Sequence, residues 1–415
     1  MGVLEEQEKE CSPAASPKPH FASGADEHKA VLRPALQVPL LTEARVRKRV
    51  LNLRHKFLGL AVLAISFITV LVLFAVFFEQ IPTQNNTLAM DWKTSWASIR
   101  GGNLQYWPVD GIRFPPWSLV PLLPLGLLPM QTAWGILAGV GVFILVVSVP
   151  RTGSKPVYWL SILLLVISFP SIRNIADGNM ENIVVAGVLL ILYGYSSKHI
   201  YALVIGILLA TIKLQEVTLL LIVVAIYVLL TWTPRNWLKM GLWLTGGIAL
   251  SLIWRGQSWF VSLFGLNYLK YTSSIIDISI SAAFRRLGFI PSFVTTLFWI
   301  AILGITLFVA WKSRASLSRE KAGMLIAGSL LIAPYAAGNS VLSVLAIGMI
   351  PLFQSNLLLG GILIALVNLP FLWSTDVLYN FQSYYWTVVV LIIWAVLVWR
   401  CLSAASQLET AEGTP

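Results

Sequence analysis

Apolar runs of about 17–25 residues, long enough to cross a bilayer as helices, recur from Leu58 to the C-terminal region. Within each run the hydrophobic positions are continuous and do not alternate, which predicts helices and excludes barrel strands. The predicted spans fall near residues 58–78, 131–149, 157–170, 183–195, 200–212, 215–232, 238–254, 291–311, 323–335, 341–353, 356–373 and 385–400. The expected fold is therefore an all-α polytopic bundle of about twelve transmembrane helices. Two stretches break the pattern. Residues 79–116 form a polar and aromatic loop in which Trp92, Trp96 and Arg100 recur at helical spacing. After it, Pro121, Pro124 and Pro129 interrupt an apolar run, predicting a short surface or re-entrant helix before the second span.

Composition supports the membrane class: 57% of the 415 residues are hydrophobic and 11% charged, with mean hydropathy +0.78. Soluble domains carry roughly a quarter of their residues as charges. Much of the +11 formal charge sits in Arg45, Arg47, Lys48, Arg49, Arg54 and Lys56, directly before the first span. Basic residues before a span orient the N-terminus to the cytoplasm, so no nucleic-acid partner is implied. The later connections expected on that side carry Arg151/Lys155, Lys198, Arg235/Lys239, Lys312/Arg314/Arg319/Lys321 and Arg400. An even span count then leaves both termini cytoplasmic. The Pro-, Ser-, Ala- and Glu-rich residues 1–44 read as a disordered tail, 45–403 as the membrane domain and 404–415 as a second tail. No cleavable signal is expected. Cys11 and Cys401 both fall on cytoplasmic segments, so no disulfide is implied, and His20, His28, His55 and His199 fall on the same side.

The outer loops hold the candidate chemistry. Asp91 opens the helix-like part of the first loop, where it is either an N-cap or a general base for a hydroxyl. Arg173, Asp177, Gly178, Asn179 and Glu181 cluster between two spans, either as an ordinary polar turn or as a hydroxyl-binding one. Lys213 interrupts an apolar stretch beside Gln215 and Glu216; it must pair with Glu216 or meet a phosphate, and phosphate is preferred. Arg285 and Arg286 close a long outer loop and suit either a phosphate ester or lipid headgroups. No P-loop, nucleotide fingerprint or zinc spacing is present. Any sugar donor would then be lipid-linked. A transporter or lipid flippase would also bury charge among spans, but it predicts an internal repeat, and none is evident.

Taken in order, these segments resemble glycosyltransferase family 87 of the GT-C superfamily. The resemblance rests on Asp91, Ala97, Gly101-Gly102 with Tyr106, and Phe114-Pro115-Pro116 with Pro124 to Pro129. It continues through Gly178-Asn179-Met180-Glu181, Lys213-Leu214-Gln215 and Ala333-Pro334-Tyr335. The chain departs from the family pattern at Asn179 and Leu214, where Gln and Pro are usual, and at residues 336–339, which lack the acidic and His residues of some members. The resemblance implies a GT-C-type bundle with a structured first extracytoplasmic loop. It implies a cell-membrane enzyme that moves a hexose or pentose, mannose-like, from a polyprenyl-phosphate sugar to a lipid or glycan acceptor hydroxyl, with inversion and without metal or other cofactor. Asp91 would be the base; Arg173, Lys213, Arg285 and Arg286 would bind the donor phosphate; Asp177, Asn179, Glu181, Gln215 and Tyr106 would bind sugar or acceptor.

Overall fold

The computed structural model describes residues 38–83, 88–101, 115–255, 277–288, 292–314, 316–373 and 375–412. The chain divides into two units, Met1–Leu63 and Ala64–Pro415. In the first, the described part is the beginning of helix α1 (Val38–Glu79), with Leu58, Leu60, Val62 and Leu63 exposed. The stretch expected to be a tail up to residue 44 is thus helical from Val38.

Among its described residues the second unit consists of helices joined by turns, with an isolated bridge between Asp277 and Ala337. After α1 come α2 (Met90–Gly101), the proline-interrupted α3 (Pro116–Leu127), α4 (Met130–Ser148), α5 (Lys155–Val166) and α6 (Phe169–Asp177). Then follow α7 (Glu181–Ser196), α8 (Ile200–Ala210), α9 (Leu214–Thr231), α10 (Pro234–Arg255), α11 (Ile280–Leu287), α12 (Ser292–Lys312), α13 (Arg319–Ile332), α14 (Gly338–Ser355), α15 (Leu357–Asn368) and α16 (Thr375–Glu412). Proline opens several of these: Pro116, Pro156 and Pro170 stand in a first turn, where a missing N–H costs nothing. In α3, Pro124 lies inside the helix, and the segment from Val120 to Leu127 is wound as a 3-10 helix. This agrees with the expected short helix ahead of the second span.

Among the described residues, six helices are long and apolar enough to cross a membrane: Leu58–Glu79, Met130–Ser148, Ile200–Thr231, Ser292–Lys312, Gly338–Ser355 and Tyr384–Gln407. A seventh results if α5 and α6, bent by 44° at their junction, count as one span. The expected count of about twelve is not reached by these helices, for a geometric reason at four of the expected stretches. Stretches 183–195 and 356–373 lie on α7 and the short apolar helix Leu357–Leu372, both shorter than the roughly 20 residues a 30 Å core requires. Stretches 200–212 and 215–232 belong to one 32-residue helical run, interrupted only by a 3-10 turn at Thr211–Lys213.

Two packing features position the functional end. Helices α7 and α8 form a tight hairpin whose backbones touch through glycines. A Cβ on Gly206 would stand 2.7 Å from the backbone nitrogen of Ile191, and one on Gly187 would overlap the backbone of Ala210. Because the hairpin is antiparallel, Glu181 at the start of α7 meets Thr211–Lys213 just past the end of α8. Helix α13 is buried from Lys321 to Leu331 and packs against α9, α12, α14 and α16. At the other end, Arg319 donates to the Ser148 carbonyl, Lys321 to the Ser313 and Ser316 carbonyls, and Arg400 lies 3.5 Å from Glu320. His199 caps α8 from that end too, its Nδ1 accepting from Ala202 N–H at 3.2 Å.

Candidate active site

The hairpin brings a lysine and two glutamates together under a pair of serines. Lys213 Nζ is ion-paired to Glu181 Oε1 and lies 3.5 Å from Glu216 Oε1. Both carboxylates are fully buried, and the lysine side chain is 8% exposed. Ser340 Oγ lies 3.0 Å from Glu181 Oε1 and 2.6 Å from Glu216 Oε1, while Ser343 Oγ is 3.3 Å from Glu181 Oε2. Each glutamate sits in the first turn of a helix, where the positive end of the helix dipole favours a negative charge. Of the two partners weighed for Lys213, the structure shows carboxylates: the expected Glu216 and, closer, Glu181.

A turn above this cluster holds the next residues. Ser168 caps α6, and Gly178 ends it in the left-handed region at φ +67°. A side chain at Gly178 would be strained, and its Cβ would overlap that of Trp92. Past the turn, Asn179 N–H donates to the Asn174 carbonyl at 2.9 Å, and Asn174 Oδ1 accepts from Glu181 N–H at 3.1 Å. Arg173 and Asp177, one helical turn apart on α6, form an ion pair at 3.0 Å, with Arg173 51% exposed.

Helix α2 lies across this turn. Ala89 N–H donates to the Ala176 carbonyl at 2.7 Å and takes φ +54° to do so. Three indole N–H groups lock the arrangement: Trp92 to the Met130 carbonyl, Trp96 to that of Leu128, and Trp134 to that of Ile175, at 3.1, 3.0 and 2.8 Å. Trp92 and Trp134 are buried. Asp91, in the first turn of α2, is exposed, and its Oδ2 accepts from Asn179 Nδ2 at 2.6 Å. What fixes the carboxylate is therefore a neighbouring segment, not its own helix end. Asp91, Asp177 and Lys213 are within electrostatic reach of one another.

Arg285 and Arg286 sit on α11, beside a third buried carboxylate. Asp277 Oδ1 accepts from Ser279 and Ala336 N–H at 3.0 and 3.1 Å; Arg285 stands 3.7 Å from Oδ2, and Arg286 donates to the Asp277 carbonyl at 3.2 Å. Burial pushes the Asp277 carboxyl above the usual aspartate range, against these hydrogen bonds and Arg285. The clip to Ala336 ties α11 to the turn that leads into Ser340.

The structure thus gathers Asp91, Arg173, Asp177, Asn179, Glu181 and Lys213 at one end of the bundle. Gln215 is half-buried in the first turn of α9, next to Glu216. Tyr106 lies outside the described residues. Sequence reasoning did not assign Glu216, Ser340, Ser343 or Asn174 to the site. A signal for the serines existed: two hydroxyls at i, i+3 in an apolar span share one face.

The family model for glycosyltransferase family 87 matches residues 113–334, more than half of the chain. The chain belongs to glycosyltransferase family 87. As a member of that family it is a membrane glycosyltransferase, acting between a sugar donor and an acceptor at a lipid bilayer. The matched region of this glycosyltransferase contains the α6–α7 turn and Lys213, while Asp91 and Ser340 lie on either side of it. Neither a curated protein nor a solved structure matches the chain.

Proposed function

We propose that this glycosyltransferase moves a mannose-like hexose or pentose from a polyprenyl-phosphate sugar to a hydroxyl of a lipid or glycan acceptor, with inversion. The observation that carries the reading is Asp91: an exposed carboxylate held at a buried, rigid turn, at the end of the bundle remote from the basic residues Arg319, Lys321 and Arg400. By the positive-inside bias, that basic end faces the cytoplasm, and the Asp91 end faces outward at the cell membrane. Asp91 takes the proton of the acceptor hydroxyl as its oxygen attacks the anomeric carbon. The bond from that carbon to the phosphate oxygen breaks on the opposite face, and its electron pair leaves with polyprenyl phosphate. Phosphate leaves as a stable anion, so positive charge serves where a general acid or metal otherwise would.

Arg173 is the donor-phosphate ligand best placed for this task. It is half exposed and, among the described residues, is paired with one carboxylate, so an incoming phosphate can replace Asp177. Arg285 and Arg286 form the second anionic contact, oriented by Asp277. Lys213 acts at one remove: its charge is taken up by Glu181 and Glu216, and it holds the floor of the site. Asp177 and Gln215 are the sugar-hydroxyl partners, with Tyr106 from the first loop. Transfer from a panel of radiolabelled polyprenyl-phosphate sugars by the purified protein tests the reading. Activity is expected with at least one donor and abolished in Asp91→Asn; undiminished transfer in that variant would sink the general-base assignment.

A further inference from the structure

Asn179 has three polar groups engaged, and together they determine how its side chain lies. The backbone N–H reaches the Asn174 carbonyl at 2.9 Å, Oδ1 accepts from Met180 N–H at 2.7 Å, and Nδ2 donates to Asp91 Oδ2 at 2.6 Å. The Met180 N–H needs an acceptor, so the oxygen end of the amide must face it and the NH2 end must face Asp91. Asn179 is 7% exposed and directly follows the left-handed turn at Gly178, which itself packs against Trp92 and Trp134. Burial and these two side-chain hydrogen bonds hold the amide against the carboxylate. Asp91 Oδ1, by contrast, has no hydrogen bond among the described residues.

The cations nearby are already committed. Lys213 is shared by Glu181 and Glu216, and Arg173 is paired with Asp177. Among the described residues Asp91 is thereby left without an ion-pair partner, which would fix it in place but weaken it as a base. A neutral amide can hold one carboxylate oxygen without neutralising the group. We propose that Asn179 is the positioning residue of Asp91, holding Oδ2 so that Oδ1 is the atom that receives the acceptor proton. The proposal rests on reading Asp91 as the base, and it reassigns Asn179 from contacting sugar to orienting that base.

The test is steady-state transfer across pH by the full-length protein, with radiolabelled polyprenyl-phosphate mannose, or the donor the panel identifies. Asn179→Ala is expected to lower kcat roughly 10- to 100-fold, the worth of one charge-assisted hydrogen bond. The KM values for donor and acceptor should change little. A donor to the ionised carboxylate favours that form, so its removal moves the acidic limb of the pH profile to higher pH. Asn179→Asp, nearly isosteric, removes the donor, adds a like charge and should move that limb further. Asn179→Gln keeps the amide and should retain more activity than Asn179→Ala. An unmoved profile in both Asn179→Ala and Asn179→Asp would overturn the proposal, as would a rise in KM alone, the mark of a sugar contact. If Asn179→Ala misfolds, the isosteric Asp variant decides the matter by its pH profile. Undiminished transfer in Asp91→Asn removes the base itself; an inactive Asp91→Asn beside unaltered Asn179 variants removes only the positioning role.

Discussion

Lys213→Met separates the two roles a lysine can have at this position. The variant leaves Glu181 and Glu216 fully buried without their cation. Ser340 and Ser343 still contact both carboxylates, so the loss is the ion pair rather than the whole network. Lys213 is only 8% exposed, so solvent screens the pair little. Removing one partner of a buried pair costs about 3–5 kcal/mol, most of it for the charge left behind. The closer contact to Glu181 accounts for the larger share, since a hydrogen bond to a charged group is worth about 1.5–3 kcal/mol. Thermal unfolding in detergent, followed by tryptophan fluorescence, should show a midpoint several degrees below that of the native protein. Lys213→Met combined with Glu181→Gln also removes the nearer of the two orphaned charges and should recover at least half of the loss. A native midpoint in Lys213→Met, with donor KM raised, would refute this reasoning and return the lysine to a phosphate. A double variant no more stable than the single one would refute the pairing.

Four further outcomes are expected. Gly178→Ala forces a left-handed alanine, at about 1–2 kcal/mol, and a clash with Trp92 worth about 1–3 kcal/mol; the melting midpoint and transfer rate should fall together, and a native midpoint would contradict the packing. Trp134→Phe keeps a buried aromatic ring but loses the bond to the Ile175 carbonyl, about 1 kcal/mol, and leaves a cavity that adds to the loss; a native midpoint would show that neither contributes. Arg173→Gln breaks a half-exposed pair worth at most about 1 kcal/mol, so the midpoint should hold while donor KM rises; unchanged KM would exclude Arg173 from the phosphate site. Asp277 has its carboxyl raised by burial. Its stabilising contribution is therefore complete below the ordinary aspartate range and is lost as pH rises through the raised value. The stability advantage of the native protein over Asp277→Asn should accordingly shrink as pH climbs out of the acidic range; a flat difference would count against a raised carboxyl.

Much of this glycosyltransferase is legible residue by residue. The continuous apolar runs determined a helical membrane protein, because a backbone in lipid must satisfy its own hydrogen bonds. Trp92, Trp96 and Arg100 announced α2, Pro121 and Pro124 announced the broken helix ahead of α4, and Gly178 announced the turn after α6. All of these are local patterns, governed by the period of a helix or the dihedral freedom of one residue. Tertiary structure alone decided which side chains meet. Lys213 finds Glu181, 32 positions away, because the α7–α8 hairpin returns the chain to the same end, and glycines allow the two backbones to close. Ser340 joins them from a helix more than a hundred positions further on, and Asn179 reaches Asp91 across 88. Such pairings depend on helix lengths and crossing contacts, which polarity along a chain does not encode. A buried lysine therefore reads as a phosphate site in sequence and as a shared ion pair in the folded protein.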